Sequence, residues 1–315
     1  MPPVDFPDLE TPLAALAGAP PAAPRWFADA VASRPESRTI EVEGARIHYL
    51  SWGERTRPGL LLAHGNAAHA YWWSFIAPFL ARDYNVAAID FSGMGDSDWR
   101  SSYAMETFAR EQLAVCEDAG MFALPEPPVI VGHSFGGFVT ILGGALYGER
   151  FAGTVIVDAP VNPSDSPHRG SPLPHKAHHP YPSLAAALSR FRLLPPQTCE
   201  NLFTLDWVAR HSLKETDAGF IWKFDPAIWR DFSIGDMAAR LRETRCRIAV
   251  FRGELSILMP PRVGEYMFNL LGRSAPVVEI PQAQHHVMLD QPLALVAALR
   301  ALLADWEHSR PRRKL

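Results

Sequence analysis

Gly132-His133-Ser134-Phe135-Gly136 sets a hydroxyl between two glycines. A serine hydroxyl attacks a carbonyl only when a base takes its proton and N–H donors receive the charge that builds on the attacked oxygen. The chain offers residues for both tasks. His285 and His286 stand together in EIPQAQHHVMLDQP and are candidate bases. His64-Gly65-Asn66 closes the apolar run LLLAHGN and is a candidate oxyanion loop. The backbone N–H of Asn66 is one expected donor there, and that of Phe135, next after the serine, is the other. This set describes acyl transfer through a covalent serine intermediate. The plainer alternatives are a helix-capping serine, a simple strand-to-helix turn at 64–66 and a pair of surface histidines.

Such chemistry needs elements that bring these residues to one place. VIVGHSFGG reads as a buried strand, a tight turn and a helix. Small residues are required on both sides of a serine in that turn, because only glycine lets neighbouring backbone pass so close. Upstream, RTIEVEG and ARIHYLSWG alternate apolar and polar residues around Gly44, which predicts a half-exposed hairpin. Six short apolar runs follow: GLLLAHG, NVAAIDF, PVIVGHS, GTVIVDAP, RIAVFRG and APVVEIP. They suit strands buried on both faces. Helical spacing of apolar residues marks 71–83, 105–120, 137–150 and 292–308. Strand–helix alternation implies a mainly parallel sheet covered on both sides. Residues 161–235 break the rhythm with a Pro/His/Ser-rich loop and amphipathic helices, without a convincing strand. They read as a helical cap inserted into a core of 37–160 and 236–315. Residues 1–36 read as an irregular arm with one helix near Arg25–Ala32.

HGN after a strand, then IDFSGMGDSD at 89–98, GHSFGG and QHHVMLDQP, in that order, resemble the α/β-hydrolase superfamily from about residue 38 to about 308. The resemblance implies an α/β fold, with a mainly parallel eight-stranded sheet flanked by helices and a cap after the sixth strand. It also favours His285 over His286. The family's histidine lies five residues before an acidic residue, and Asp290-Gln291-Pro292 fits His285. HGN followed by an aromatic pair is also similar to haloalkane dehalogenases. Those use an aspartate nucleophile, and Ser134 speaks against that chemistry here.

One expected residue is missing. In most of the superfamily an acid sits in the loop after the seventh strand, four residues beyond the equivalent of Arg252. That position is Ser256, followed by Ile257. A serine does not stabilise an imidazolium as a carboxylate does. Asp158, ending VIVDAP, occupies a position that some members use for their acid; Glu254 lies near the usual site. A water- or serine-assisted arrangement is the third possibility.

The expectation is a serine hydrolase of carboxylesterase type, acting on a small-to-medium apolar ester without metal or organic cofactor. Trp72, Trp73 and Trp222 are the expected substrate-binding residues. A lactonase or a carbon–carbon bond hydrolase would use the same triad, and a non-catalytic ligand binder is the rival outside enzymes. Asp90 and Asp96 are expected to hold the loop after the fourth strand, and His168, His175, His178 and His179 to sit in a solvated cap loop. The net charge of −4 gives no reason to expect nucleic acid. The basic ending RPRRKL reads as a solvated tail. Three scattered cysteines, a start without a basic apolar leader and the lack of a membrane-length apolar run lead to the expectation of a cytoplasmic protein. Nothing in the sequence sets the oligomeric state.

Overall fold

The computed structural model describes residues 11–163, 178–230 and 232–309. Its strands are β1 (Glu36–Val42), β2 (Ala45–Trp52), β3 (Gly59–Ala63), β4 (Asn85–Ile89), β5 (Val129–His133), β6 (Gly153–Val157), β7 (Leu213–Thr216), β8 (Gly219–Trp222), β9 (Arg247–Gly253) and β10 (Val277–Ile280). Eight form one sheet in the order β1-β2-β4-β3-β5-β6-β9-β10. The β1–β2 and β2–β4 pairs are antiparallel; the others are parallel.

Apolar strands without alternation end up where both faces are covered, except β10, an edge strand whose Val277 and Glu279 are exposed. β3, β4, β5 and β6 are buried at every position. Leu60, Leu62, Val129, Val131, Val155 and Val157 pack into the core on one face, with Leu295, Leu299 and Trp306 of helix Pro292–His308. Leu61, Ala63, Ile130 and Ile156 pack into the other, with Phe108 and Val115 of helix Met105–Asp118 and Val139 and Leu142 of helix Phe135–Tyr147. Burying each such aliphatic side chain contributes about 1.5–3 kcal/mol relative to exposure. The one-residue alternation between faces therefore fixes the strand register strongly.

That register decides which loops meet. The chain leaves β3 for β4 on one side and later enters β5 on the other, so the order reverses between β3 and β5. Ligands bind at such points in open α/β sheets. Ala63 pairs with Gly132, so the Gly65 loop and the Ser134 turn leave the sheet side by side. His133 pairs with Val157, and Val157 with Phe251, so Asp158 emerges between Ser134 and the loop after β9.

Two expectations need correction. Residues 71–83 are not one helix: a 3-10 turn at Ala70–Trp72 is followed by a single helical turn, Ala77–Leu80. Pro78 lies in that helix's first turn; it has no N–H to donate and suits only a helix start. The inserted segment is also not all helical. Besides helices Leu184–Leu188 and Leu202–His211 it contains the hairpin β7–β8. Gly219 turns it with φ 120°, and Phe220 exchanges backbone hydrogen bonds with Tyr181. That pairing joins residues distant in the chain, which local periodicity does not register. His168 and His175 lie outside the described residues. His178 is tied down, its Nε2–H donating to Phe224 O at 2.6 Å. No described helix is long and apolar enough to cross a membrane.

Candidate active site

Ser134 stands between the end of β5 and the first residue of helix Phe135–Tyr147. Its backbone is at φ 51°, ψ −117°, a conformation that side chains with a Cβ rarely adopt. The flanking glycines have steric reasons. A Cβ on Gly132 would lie 2.3 Å from Gly136 O, one on Gly136 would lie 2.4 Å from His64 O, and one on Gly137 would lie 2.4 Å from Ala159 Cβ. The turn is pinned by Ser134 N–H to Val157 O at 2.9 Å and Gly136 N–H to His64 O at 3.0 Å.

Three side chains from three loops form a hydrogen-bonded line. His285 Nε2 is 3.0 Å from Ser134 Oγ, and His285 Nδ1 is 2.8 Å from Asp158 Oδ1. A carboxylate only accepts, so Nδ1 carries the proton and Nε2 is left to accept from the hydroxyl. Asp158 is fully buried, with φ 47°. Two further donors satisfy it: Gly253 N–H to Oδ2 at 2.8 Å and Ser256 O–H to Oδ1 at 2.6 Å. Of the two carboxylates considered from sequence, Asp158 therefore meets the histidine. Glu254 is exposed, and its carboxylate accepts from Gln282 N–H at 2.8 Å instead. Ser256, at the position where an acid was expected, binds the acid that comes from β6.

The other expected loop is in place. A Cβ on Gly65 would lie 3.3 Å from Ser134 Cβ, so the turn before Asn66 runs directly beside the serine. Phe135 opens its helix, where an N–H has no intrahelical acceptor. The partial positive charge of that helix end also favours an anion at Ser134. His64 shapes the loop from below: Nδ1–H donates to Gly65 O at 2.7 Å and Nε2 accepts from Phe91 N–H at 3.2 Å. Burial holds His64 below the usual imidazole range, which suits a ring that must both donate and accept.

Residues 60–299, from β3 into the last helix and including all of these loops, match the model of the alpha/beta hydrolase family. The chain belongs to the alpha/beta hydrolase family. Epoxide hydrolase 4 of Mus musculus is 28% identical over 124 residues, which is 38% of this chain and 33% of that protein. The aligned stretch thus spans about a third of that relative. The thioesterase domain from the curacin biosynthetic pathway superposes with a TM-score of 0.68 at 22% identity, covering 86% of this chain and 99% of that one. E-2-(acetamidomethylene)succinate hydrolase gives 0.70 at 17% identity, covering 86% and 100%. At these identities the structural likeness shows the fold.

Around the site, this alpha/beta hydrolase has two further histidines: His133, for which sequence reasoning gave no role, and His286, the other candidate base. His133 Nε2–H donates to His285 O at 2.9 Å, a strut from the serine turn to the histidine loop. A polar residue ending an otherwise apolar strand was the available signal. His286 lies edge-on to His285 and tilted against Trp72, with ring centroids 4.8 and 5.3 Å away. Burial holds both His133 and His286 well below the usual imidazole range. Ligand atoms of His133, His285 and His286 lie within 4.8 Å of one another, as metal ligands would. Both ring nitrogens of His285 already face Ser134 and Asp158.

The three tryptophans are not brought together. Trp72 lies beside His286, Trp73 is fully buried in the core, and Trp222 packs on Tyr181 and Phe191 within the inserted segment. Asp96 reaches further than its own loop: its carboxylate pairs with Lys223 at 2.7 Å, tying that loop to the inserted segment.

Asp90 does hold its loop. It is fully buried and accepts from Ala70 N–H at 2.5 Å, Asp96 N–H at 2.9 Å and His48 Nδ1–H at 2.7 Å. Burial pushes its carboxyl up, but the hydrogen bond and charge of His48 outweigh that and set it at about 2. A depressed folded value means the unfolded chain takes up the proton first as pH falls. The contribution is therefore present above about pH 4 and lost toward pH 2; it amounts to about 2 kcal/mol. Asp90→Asn should lower stability by about that much at pH 7 and by much less at pH 2.5. Urea unfolding at the two pH values checks this, and an equal loss at both would refute it.

Proposed function

We propose that this alpha/beta hydrolase is a serine hydrolase of carboxylesterase type, cleaving a carboxylic ester of a small-to-medium apolar substrate. Ser134 attacks the carbonyl carbon. His285 takes its proton and returns it to the leaving alcohol, while Asp158 stabilises the imidazolium. The N–H groups of Asn66 and Phe135 hold the oxyanion. Water, activated by the same histidine, then releases the acid from the acyl-enzyme. The observation that carries the reading is the line Ser134–His285–Asp158, with hydrogen bonds of 3.0 and 2.8 Å. Trp72 beside the histidine pair supports an apolar wall. Trp73 and Trp222, which make no contact with the triad among those described, are kept as weaker candidates for substrate contact. The segment between β6 and β9 serves as a cap over the site.

The relatives named as epoxide hydrolases suggest another substrate. Residue 134 argues against it on chemical grounds. A serine that opened an epoxide would be left as an ether, which has no carbonyl for water to attack, so turnover would stop after one event. An acyl-serine has that carbonyl. Lactones and carbon–carbon bonds beside a carbonyl pass through the same acyl chemistry, and a substrate panel separates them from open-chain esters.

A fluorophosphonate probe is expected to label Ser134 stoichiometrically, and the protein to turn over p-nitrophenyl butyrate. Labelling should vanish in His285→Ala. A wild-type protein that stays unlabelled, with the label position checked by peptide mass, would refute the serine reading. Labelling without ester turnover would keep the nucleophile and discard the ester.

A further inference from the structure

The backbone N–H groups of the two residues on either side of His285 are both held, and both holds lead to one side chain of the cap segment. Gln197 Oε1 accepts from His286 N–H at 3.0 Å. Gln197 Nε2 donates to both carboxylate oxygens of Asp290, each at 3.0 Å. Asp290 Oδ2 accepts in turn from Gln284 N–H at 2.7 Å. The partners fix which end of the amide is which, because a carboxylate cannot donate and a backbone N–H cannot accept. Neighbouring cap residues extend the clasp. Gln284 Nε2 donates to Thr198 Oγ1 at 3.0 Å, and Asn201 Nδ2 donates to Leu289 O at 2.8 Å and Asp290 O at 3.0 Å.

From the core side, His285 is held through its backbone by His133 and through its ring by Asp158 and Ser134. From the other side, Gln197, Thr198 and Asn201 tie down the loop and the helical turn after it. Burial pushes the Asp290 carboxyl up to about 6, so this carboxylate depends on the donors it has. Gln197 supplies a neutral donor that suits it, where a second acid would not.

We propose that Gln197 is a positioning residue for His285: it sets the histidine loop through the His286 N–H and the Asp290 carboxylate, so that the base is in register with Ser134 only when the cap is seated. The proposal rests on the reading of Ser134 and His285 as nucleophile and base. A general base works with its acceptor atom about 2.6–3.2 Å from the atom whose proton it takes, and a misplacement of about 1 Å can lower a rate about a hundredfold.

The test compares the wild-type protein with Gln197→Leu and Gln197→Glu. Active sites are counted by fluorophosphonate titration, and labelling rate, kcat and KM on p-nitrophenyl butyrate are taken per labelled site from pH 5.5 to 8.5. Gln197→Leu removes all three hydrogen bonds and leaves an apolar side chain of similar length. Its kcat and labelling rate should fall about tenfold with KM within about twofold, and the kinetic pKa of the base should move. Gln197→Glu keeps an acceptor for His286 N–H but sets a second carboxylate against Asp290. Its deficit relative to wild type should grow as pH rises from 6 to 8, as both acids ionise. Asp158, Asp290, His133 and His286 face the same base and are unchanged in both variants.

A purely structural role would lower the melting temperature and the labelled fraction while leaving the rate per site and the kinetic pKa as in wild type; that result overturns the proposal. Should the leucine variant fail to fold, the pH-dependent deficit of the glutamate variant decides, and its absence overturns the proposal equally. Absent wild-type labelling is a different failure, because it refutes the serine reading itself and this inference with it.

Discussion

Asp158→Asn is expected to lower kcat on p-nitrophenyl butyrate about a thousandfold to ten-thousandfold, while Glu254→Gln stays within about twofold of wild type. The reason lies in the donors around position 158. Gly253 N–H and Ser256 O–H both point at the carboxylate, at 2.8 and 2.6 Å, and His285 Nδ1–H makes a third donor at 2.8 Å. An amide in that place has only one oxygen to accept with. Its NH2 group faces either Gly253 N–H or the pair Ser256 O–H and His285 Nδ1–H, and in the second orientation the histidine is pressed toward the tautomer with its proton on Nε2, which cannot accept from Ser134. Glu254 touches none of this; it braces Gln282 N–H at the surface.

A companion variant tests where an acid can act. Ser256 Oγ and His285 Nδ1 bind the same oxygen of Asp158, so they are at most two hydrogen-bond lengths apart. Exchanging the pair, Asp158→Ser with Ser256→Asp, carries the carboxylate to the loop after β9. The double variant should recover at least about tenfold over Asp158→Ser alone. Full activity in Asp158→Asn would remove Asp158 from the proposed triad. A large loss in Glu254→Gln would reinstate the other acid.

Ser134→Ala and Ser134→Gly should both lose turnover by on the order of a millionfold, since a missing nucleophile leaves only binding and the oxyanion donors. They should differ in stability. Backbone strain at a position such as φ 51°, ψ −117° costs about 1–3 kcal/mol, and glycine relieves it. Glycine gives back about 0.5–1 kcal/mol through its greater freedom in the unfolded chain. The glycine variant should therefore exceed the alanine variant by about 1 kcal/mol, read as a higher urea midpoint at equal m-value. Both lack the same hydroxyl, so the difference isolates the Cβ. Equal midpoints would mean that the strain at Ser134 is no more than the about 0.5–1 kcal/mol that glycine gives back, and a higher midpoint for alanine would mean that the turn stores none. Ester turnover near the wild-type rate in either would end its role as nucleophile.

Much of this molecule was legible in short windows of sequence. All eight strands of the main sheet announced themselves as apolar runs or an alternating hairpin, because burial on two faces or one leaves its mark residue by residue. The serine turn was legible for a similar local reason: Gly132, Gly136 and Gly137 have no room for a Cβ, and a strand–turn–helix with glycines at those places has few other readings. The histidine pair 285–286 and the loop at His64–Asn66 were marked by their positions after strands, and the preference for His285 came from the family resemblance. Less could be read where contacts are made across the chain. The hairpin β7–β8 gains backbone partners from Tyr181, and Trp73 enters the core while its neighbour Trp72 reaches His286.

The proposed acid shows the division most clearly. By itself the sequence determined that a carboxylate was absent at position 256 and that Asp158 and Glu254 were the nearby substitutes. Only the tertiary structure shows which of them meets His285. Pairing of His133 with Val157 and of Val157 with Phe251 carries Asp158 under the histidine and buries it among three donors, while Glu254 turns outward. Strand register is a property of two segments at once, set by how their side chains share a core. The link from Gln197 to the histidine loop is of the same kind, since it arises only when the segment after β6 folds back over the sheet.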